Sequence, residues 1–139
     1  MNRRLKAAAA AAVVVYSGAL LYVSTRPLAT ASRMSPASET VNNLAHIPAF
    51  GVLTLLILAL TGVFSTGTFA WRISVSSAAA FIFGFLVEAL QHGIPGRNAS
   101  LRDIALNAAG IAAAASGAAL LRIRARREAP AALESGEYV

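Results

Sequence analysis

Four long apolar stretches, at residues 7–23, 44–64, 73–92 and 101–121, are separated by segments rich in Ser, Thr, Pro, Gly or charge. Each is close to the ~20 residues that a helix rising about 1.5 Å per residue needs to cross the hydrocarbon core of a bilayer. The pattern predicts an all-α protein, an integral membrane four-helix bundle whose spans run up and down, antiparallel. The first span is rich in Ala and Val and follows Arg3-Arg4-Leu5-Lys6. That start and length also suit a secretory signal, with Ala29-Thr30-Ala31 as a small-residue cleavage site. Arg26 and Pro27 intervene between the apolar run and that site, so an uncleaved anchor is expected.

Residues 24–43 have no apolar period and read as an exposed loop. Asn42 or Asn43 is expected to cap the second span, because a short amide side chain accepts from unsatisfied first-turn amides. Pro48 then falls in the first turn, where its missing N–H costs little. Residues 65–72 form a tight hairpin, with Trp71 and Arg72 at headgroup level. In the first half of the third span Ser74, Ser76, Ser77 and the run Ala78 to Ala80 are small enough for close helix approach. Pro95-Gly96 ends that helix. Ser100, with Asp103 three residues on, marks the next helix start as a capping box with Asp in place of the usual Glu or Gln. Small residues at Ala105, Ala109, Ala113 and Gly117 suggest a packing stripe on the fourth span. Residues 122–139 are expected to fray as a basic tail.

Composition supports the membrane reading and narrows the chemistry. The chain of 139 residues is 57% hydrophobic and only 13% charged, too apolar for a soluble domain of this size. It has no cysteine, which removes disulfides and thiolate metal sites. The net charge of +6 sits in flanks, with no basic face interleaved with aromatics, which argues for the lipid bilayer as partner and against nucleic acid. Eight basic residues fall on one side of the proposed spans, at Arg3, Arg4, Lys6, Arg72, Arg122, Arg124, Arg126 and Arg127. Four fall on the other, at Arg26, Arg33, Arg97 and Arg102. The positive-inside rule then gives a multi-pass cell-membrane protein with both termini, residues 1–6 and 122–139, in the cytoplasm.

One region breaks the apolar pattern with several polar groups at once. Glu88, Gln91 and His92 stand at i, i+3 and i+4 and share a face near the end of the third span. Asp103, Asn107 and Gly110 do the same on the fourth, and His46 reaches the same level from the second. A charge inside a span costs about 2.5–3.5 kcal/mol at its centre, so Glu88 needs a partner. Arg97 and a protonated His46 are candidates, and protonation of Glu88 itself is the alternative. Glu88, Asp103 and His46 are the catalytic candidates; Arg97, Gln91, Asn107 and Ser100 are the ligand-binding ones, with Arg97 suited to an anion through its bidentate fork. The competing reading is a polar clasp that ties the third and fourth helices together, chiefly through Gln91 and Asn107. His92 reads as a helix-dipole partner. No metal-ligand spacing joins His46 and His92, so neither a metal nor another cofactor is expected.

The run Glu88-x-x-Gln91-x-x-x-Pro95-Gly96-Arg97-x-x-Ser100-x-x-Asp103-x-x-x-Asn107-x-x-Gly110, with His46 and Phe50 heading an earlier span, resembles the VanZ-like family of small bacterial membrane proteins. The resemblance covers roughly residues 42–121. It implies a polytopic four-helix protein, and it connects the chain to a family whose founding member is linked to low-level resistance to the glycopeptide teicoplanin. Two positions depart from the family pattern. Asn42-Asn43 stand where members often carry a charged pair, and Ala114 stands where a second glycine often follows Gly110. The expected activity is binding or altering a cell-envelope or lipid-linked molecule at the outer face. A non-enzymatic interaction module is the alternative, and a small transporter a third reading that four short spans accommodate poorly.

Overall fold

The computed structural model describes residues 3–26, 43–94 and 100–134, with side chains through residue 128. Among the described residues four long helices follow one another: α1 (Arg3–Thr25), α2 (His46–Phe64), α3 (Phe69–Gln91) and α4 (Leu101–Glu134). All four are long and apolar enough to cross a membrane, and the fold is the expected all-α four-helix bundle. Helix α2 is its centre: it shares its most extensive interface with α4 and packs on both α1 and α3, whereas α1 meets α3 only lightly.

The distribution of side chains is that of a protein solvated by lipid. Val14 and Val15 are 70% and 71% exposed, and Phe81, Ile82, Phe85 and Leu86 on α3 also point outward. The interior buries Thr54, Ser76, Glu88, Gln91 and Asn107 along with its apolar residues. Hydrocarbon accepts the exposed Val, Leu and Phe and gives a polar group no partner, so polarity moves inward. The apolar core is correspondingly small. Phe50, Leu53, Ala80 and Ile111 form it, with Tyr16, Leu20, Ile57 and Phe83 packed around them.

Several element boundaries differ from the sequence reading, each for a local reason. Helix α2 starts after Ala45, which has helical backbone angles (φ −62°, ψ −20°) and no side-chain cap bond, so Asn43 does not cap it; Asn42 lies outside the described residues. Pro48 does fall in the first turn of α2. Helix α3 begins four residues before the expected span, because Thr68 takes an extended conformation and its Oγ1 accepts from the Trp71 amide at 3.2 Å. The hairpin therefore shrinks to residues 65–68, where the Gly67 amide donates to Ser65 Oγ at 2.9 Å. Helix α4 does not stop at Leu121 but continues to Glu134, so part of the basic tail expected to fray is helical.

Small residues permit close approach, but not in the stripe that the spacing suggested. Ala105, Ala109 and Ala113 are exposed. The close crossing is at Gly110, which is buried against the Ile47 backbone of α2; across it, Gly51 of α2 faces the Gly110 carbonyl. In a helix this rich in alanine, small residues line every face, and the tertiary fold selects the one that packs. On α3 the inward line is Ser76, Ala80 and Gly84, then Val87, Glu88 and Gln91. Ser76 Oγ donates to the Arg72 carbonyl at 2.7 Å, which satisfies it within its own helix.

Candidate functional site

The antiparallel order brings four helix ends to one level: the C-termini of α1 and α3 and the N-termini of α2 and α4. Three of the buried polar residues gather there, and Thr54 and Ser76 lie elsewhere in the bundle. Glu88, Gln91 and Asn107 are 2%, 3% and 2% exposed.

Glu88 sits on α3 one turn before its end, and its Oε2 accepts the Ser100 amide at 3.3 Å. Ser100 is the N-cap of α4, as expected, with Oγ accepting from the Arg102 amide at 3.1 Å. Neither half of the expected capping box forms: Ser100 Oγ takes the Arg102 amide rather than that of Asp103, and the Ser100 amide turns to Glu88. This carboxylate therefore lies at the N-terminal end of α4, where the first-turn amides have no partner within the helix. Asp103, half-buried in the first turn of α4, has its Oδ1 shielded from solvent without a hydrogen bond.

His46 opens α2. Its Nδ1 lies 2.8 Å from Asn107 Oδ1, and its ring stacks on Phe50 one turn further on, with centroids 6.4 Å apart and planes 4° from parallel. His46 therefore pairs with Asn107 rather than with Glu88, for which it was one of the candidate partners. With the Asn107 oxygen as acceptor, Nδ1 carries the proton and Nε2 of a neutral ring keeps its lone pair. Gly84 makes this arrangement possible. A Cβ there would stand 2.8 Å from Phe50 Cε1 and 3.0 Å from Asn107 Nδ2.

Gln91 turns away from α4. Its Nε2 donates to the Ser24 carbonyl near the end of α1, at 2.9 Å. Tyr16, two turns earlier on α1, donates its hydroxyl to the Ala49 carbonyl of α2 at 3.1 Å. Gln91 and Asn107 thus bind α3 to α1 and α4 to α2, where the sequence reading had them joining α3 to α4. His92 is the C-cap of α3 and is exposed. Arg97 and the Pro95-Gly96 turn lie outside the described residues. Among the described residues no group of three or more His, Cys, Asp or Glu side chains is arranged to hold a metal.

Beside His46 lies a cavity of about 130 Å³ between α1 and α2, walled by Leu20, Val23, Ser24, Ala45, Ala49 and Phe50. It combines an apolar wall with one imidazole edge, and Ser24, whose carbonyl accepts from Gln91, is among its lining residues. Sequence reasoning did not find Ser24 or Gly84 as parts of this site. Gly84 stands four residues before Glu88 on the same helical face, a signal that was there to be used. Ser24 contributes a backbone carbonyl, which no side-chain pattern announces.

The family model for VanZ/LLP1 matches residues 6–122, a stretch that takes in all four apolar spans. No curated protein and no solved structure matches the chain. The match spans most of the chain, so this multi-pass membrane protein belongs to the VanZ/LLP1 family.

Proposed function

We propose that this VanZ/LLP1 protein binds or alters a lipid-linked or other cell-envelope molecule at the extracytoplasmic end of its bundle, and that both its termini are cytoplasmic. The observation that carries the reading is the burial of Glu88, Gln91 and Asn107 at one end of the bundle, with His46 on Asn107 and an apolar cavity alongside. A polar cluster at a membrane surface with an oily recess beside it suits a molecule that has an anionic head and a hydrocarbon tail. In this reading the tail lies in the recess between α1 and α2. Arg97 meets the anionic group; Gln91, Asn107 and Ser100 position it; Glu88, Asp103 and the Nε2 of His46 supply proton-transfer groups. The uneven placement of basic residues, eight against four, supports the orientation. Altered glycopeptide susceptibility is the phenotype to score, given the family.

A second reading has its own support. His46–Asn107 and Gln91–Ser24 each join two helices, as a purely structural clasp would. Glu88→Gln, Arg97→Lys and Asp103→Asn separate the two. Each variant is measured for accumulation in the membrane and for growth under envelope-targeting antibiotics. Loss of phenotype at normal abundance supports the working site, and parallel loss of both supports the clasp.

A further inference from the structure

The opposite end of the bundle carries a second feature, which the polar cluster does not explain. The N-termini of α1 and α3 meet the C-terminal end of α2 there, and α4 passes them on its way to Glu134. A groove of about 480 Å³ runs between the start of α3 and the flank of α4, walled by Phe69, Ala119, Ile123 and Thr68, with Arg122 and Arg126 on its rim. The Arg122 guanidinium lies over the Phe69 ring, 4.4 Å from its centroid, so its charge is held at the groove. Arg126 follows one turn later on the same face of α4, and among the described residues no carboxylate lines the groove.

We infer that this groove is a binding site for an anionic phospholipid. Its level along the bundle is the first argument. Phe69 opens a membrane span, so the groove stands at the boundary between hydrocarbon and headgroups. Its composition is the second: Phe69, Ala119 and Ile123 offer an apolar wall for an acyl chain directly below two guanidinium groups. Two like charges one helical turn apart repel each other, and a phosphate diester between them relieves that repulsion while accepting their N–H groups. Neighbouring arginines at 124 and 127 do not line the groove, which separates a built site from general basicity of the segment.

The test uses the full chain, purified in a neutral detergent and titrated with short-chain phosphatidylglycerol or phosphatidylcholine, with retained lipid counted by native mass spectrometry. Phosphatidylglycerol is expected to bind with a stoichiometry of one and to be preferred over phosphatidylcholine. The double variant Arg122→Gln, Arg126→Gln is expected to weaken that binding about 30-fold, the effect of two interfacial cations. Arg124→Gln, Arg127→Gln, made as a pair, leaves it within about threefold of the unaltered chain. Equal retention of the two lipids overturns the inference, and so does an equal loss in both double variants. Displacement of the bound lipid by millimolar inorganic phosphate also overturns it, because the ligand would then be a free anion rather than a lipid.

Discussion

Gly110→Ala tests how the bundle is held at its most crowded crossing. A Cβ at this position would stand 2.9 Å and 3.0 Å from the carbonyl carbon and Cα of Ile47, and closer still to the Ile47 oxygen. Ordinary carbon contacts need about 3.5–4.0 Å and the oxygen is the nearest obstacle, so α2 and α4 would have to separate by roughly 1 Å. Both obstacles are backbone, and no side chain can swing aside. Overpacking of this kind costs about 1–3 kcal/mol. Gly117, two turns further along the same helix, has nothing within 4 Å of the corresponding position. Ala improves intrinsic helix propensity by about 1 kcal/mol at either site, so comparing the two variants isolates the clash. Reversible unfolding in detergent micelles, followed by far-UV circular dichroism and by the single tryptophan, Trp71, supplies the measurement. Gly117→Ala is expected to match or exceed the starting protein, with Gly110→Ala about 1–3 kcal/mol below Gly117→Ala. Agreement of the two variants within about 0.5 kcal/mol would refute the proposed α2–α4 crossing.

Further outcomes follow from single hydrogen bonds. A double-mutant cycle on His46→Ala and Asn107→Ala should give a coupling of about 0.6–1.7 kcal/mol, the range for interhelical side-chain bonds in a membrane; additivity would remove that bond from the site. Thr68→Ala should lower stability by about 1 kcal/mol through loss of the α3 cap, and the exposed neighbour Thr66→Ala should not. Gln91→Leu should loosen α1, read as faster proteolysis between residues 26 and 43 in micelles, with α2 to α4 remaining protected.

Much of this architecture was legible in the amino-acid order because the membrane imposes a coarse rule. Four apolar runs of the right length must become helices, since a chain in hydrocarbon has to satisfy its backbone internally. The same rule exposed the polar cluster: Glu88, Gln91, His46 and Asn107 are conspicuous because burial of such groups is expensive. The partnerships were not legible. A short turn between the third and fourth spans suggests that their polar faces meet, but it does not set how each helix rotates about its own axis. That rotation sends Gln91 to Ser24 and Asn107 to His46. The packing stripe of α4 was hidden for a similar reason. Alanine at 105, 109 and 113 has the same spacing as a true interface, yet these three are exposed and it is Gly110 that meets the Ile47 backbone. The Thr68 cap was overlooked because Trp71 and Arg72 read as an interfacial linker, whereas they occupy the first turn of α3.

Placement of the polar end outside the cell is the claim on which the proposed function depends, and the absence of native cysteine makes it directly measurable. Asn98→Cys and Thr66→Cys, made singly, put one thiol in each of the last two segments between spans. Intact cells are then treated with a membrane-impermeant maleimide, before and after permeabilisation. The account predicts labelling of Asn98→Cys in intact cells and of Thr66→Cys only once the membrane is opened; the reverse pattern would contradict it.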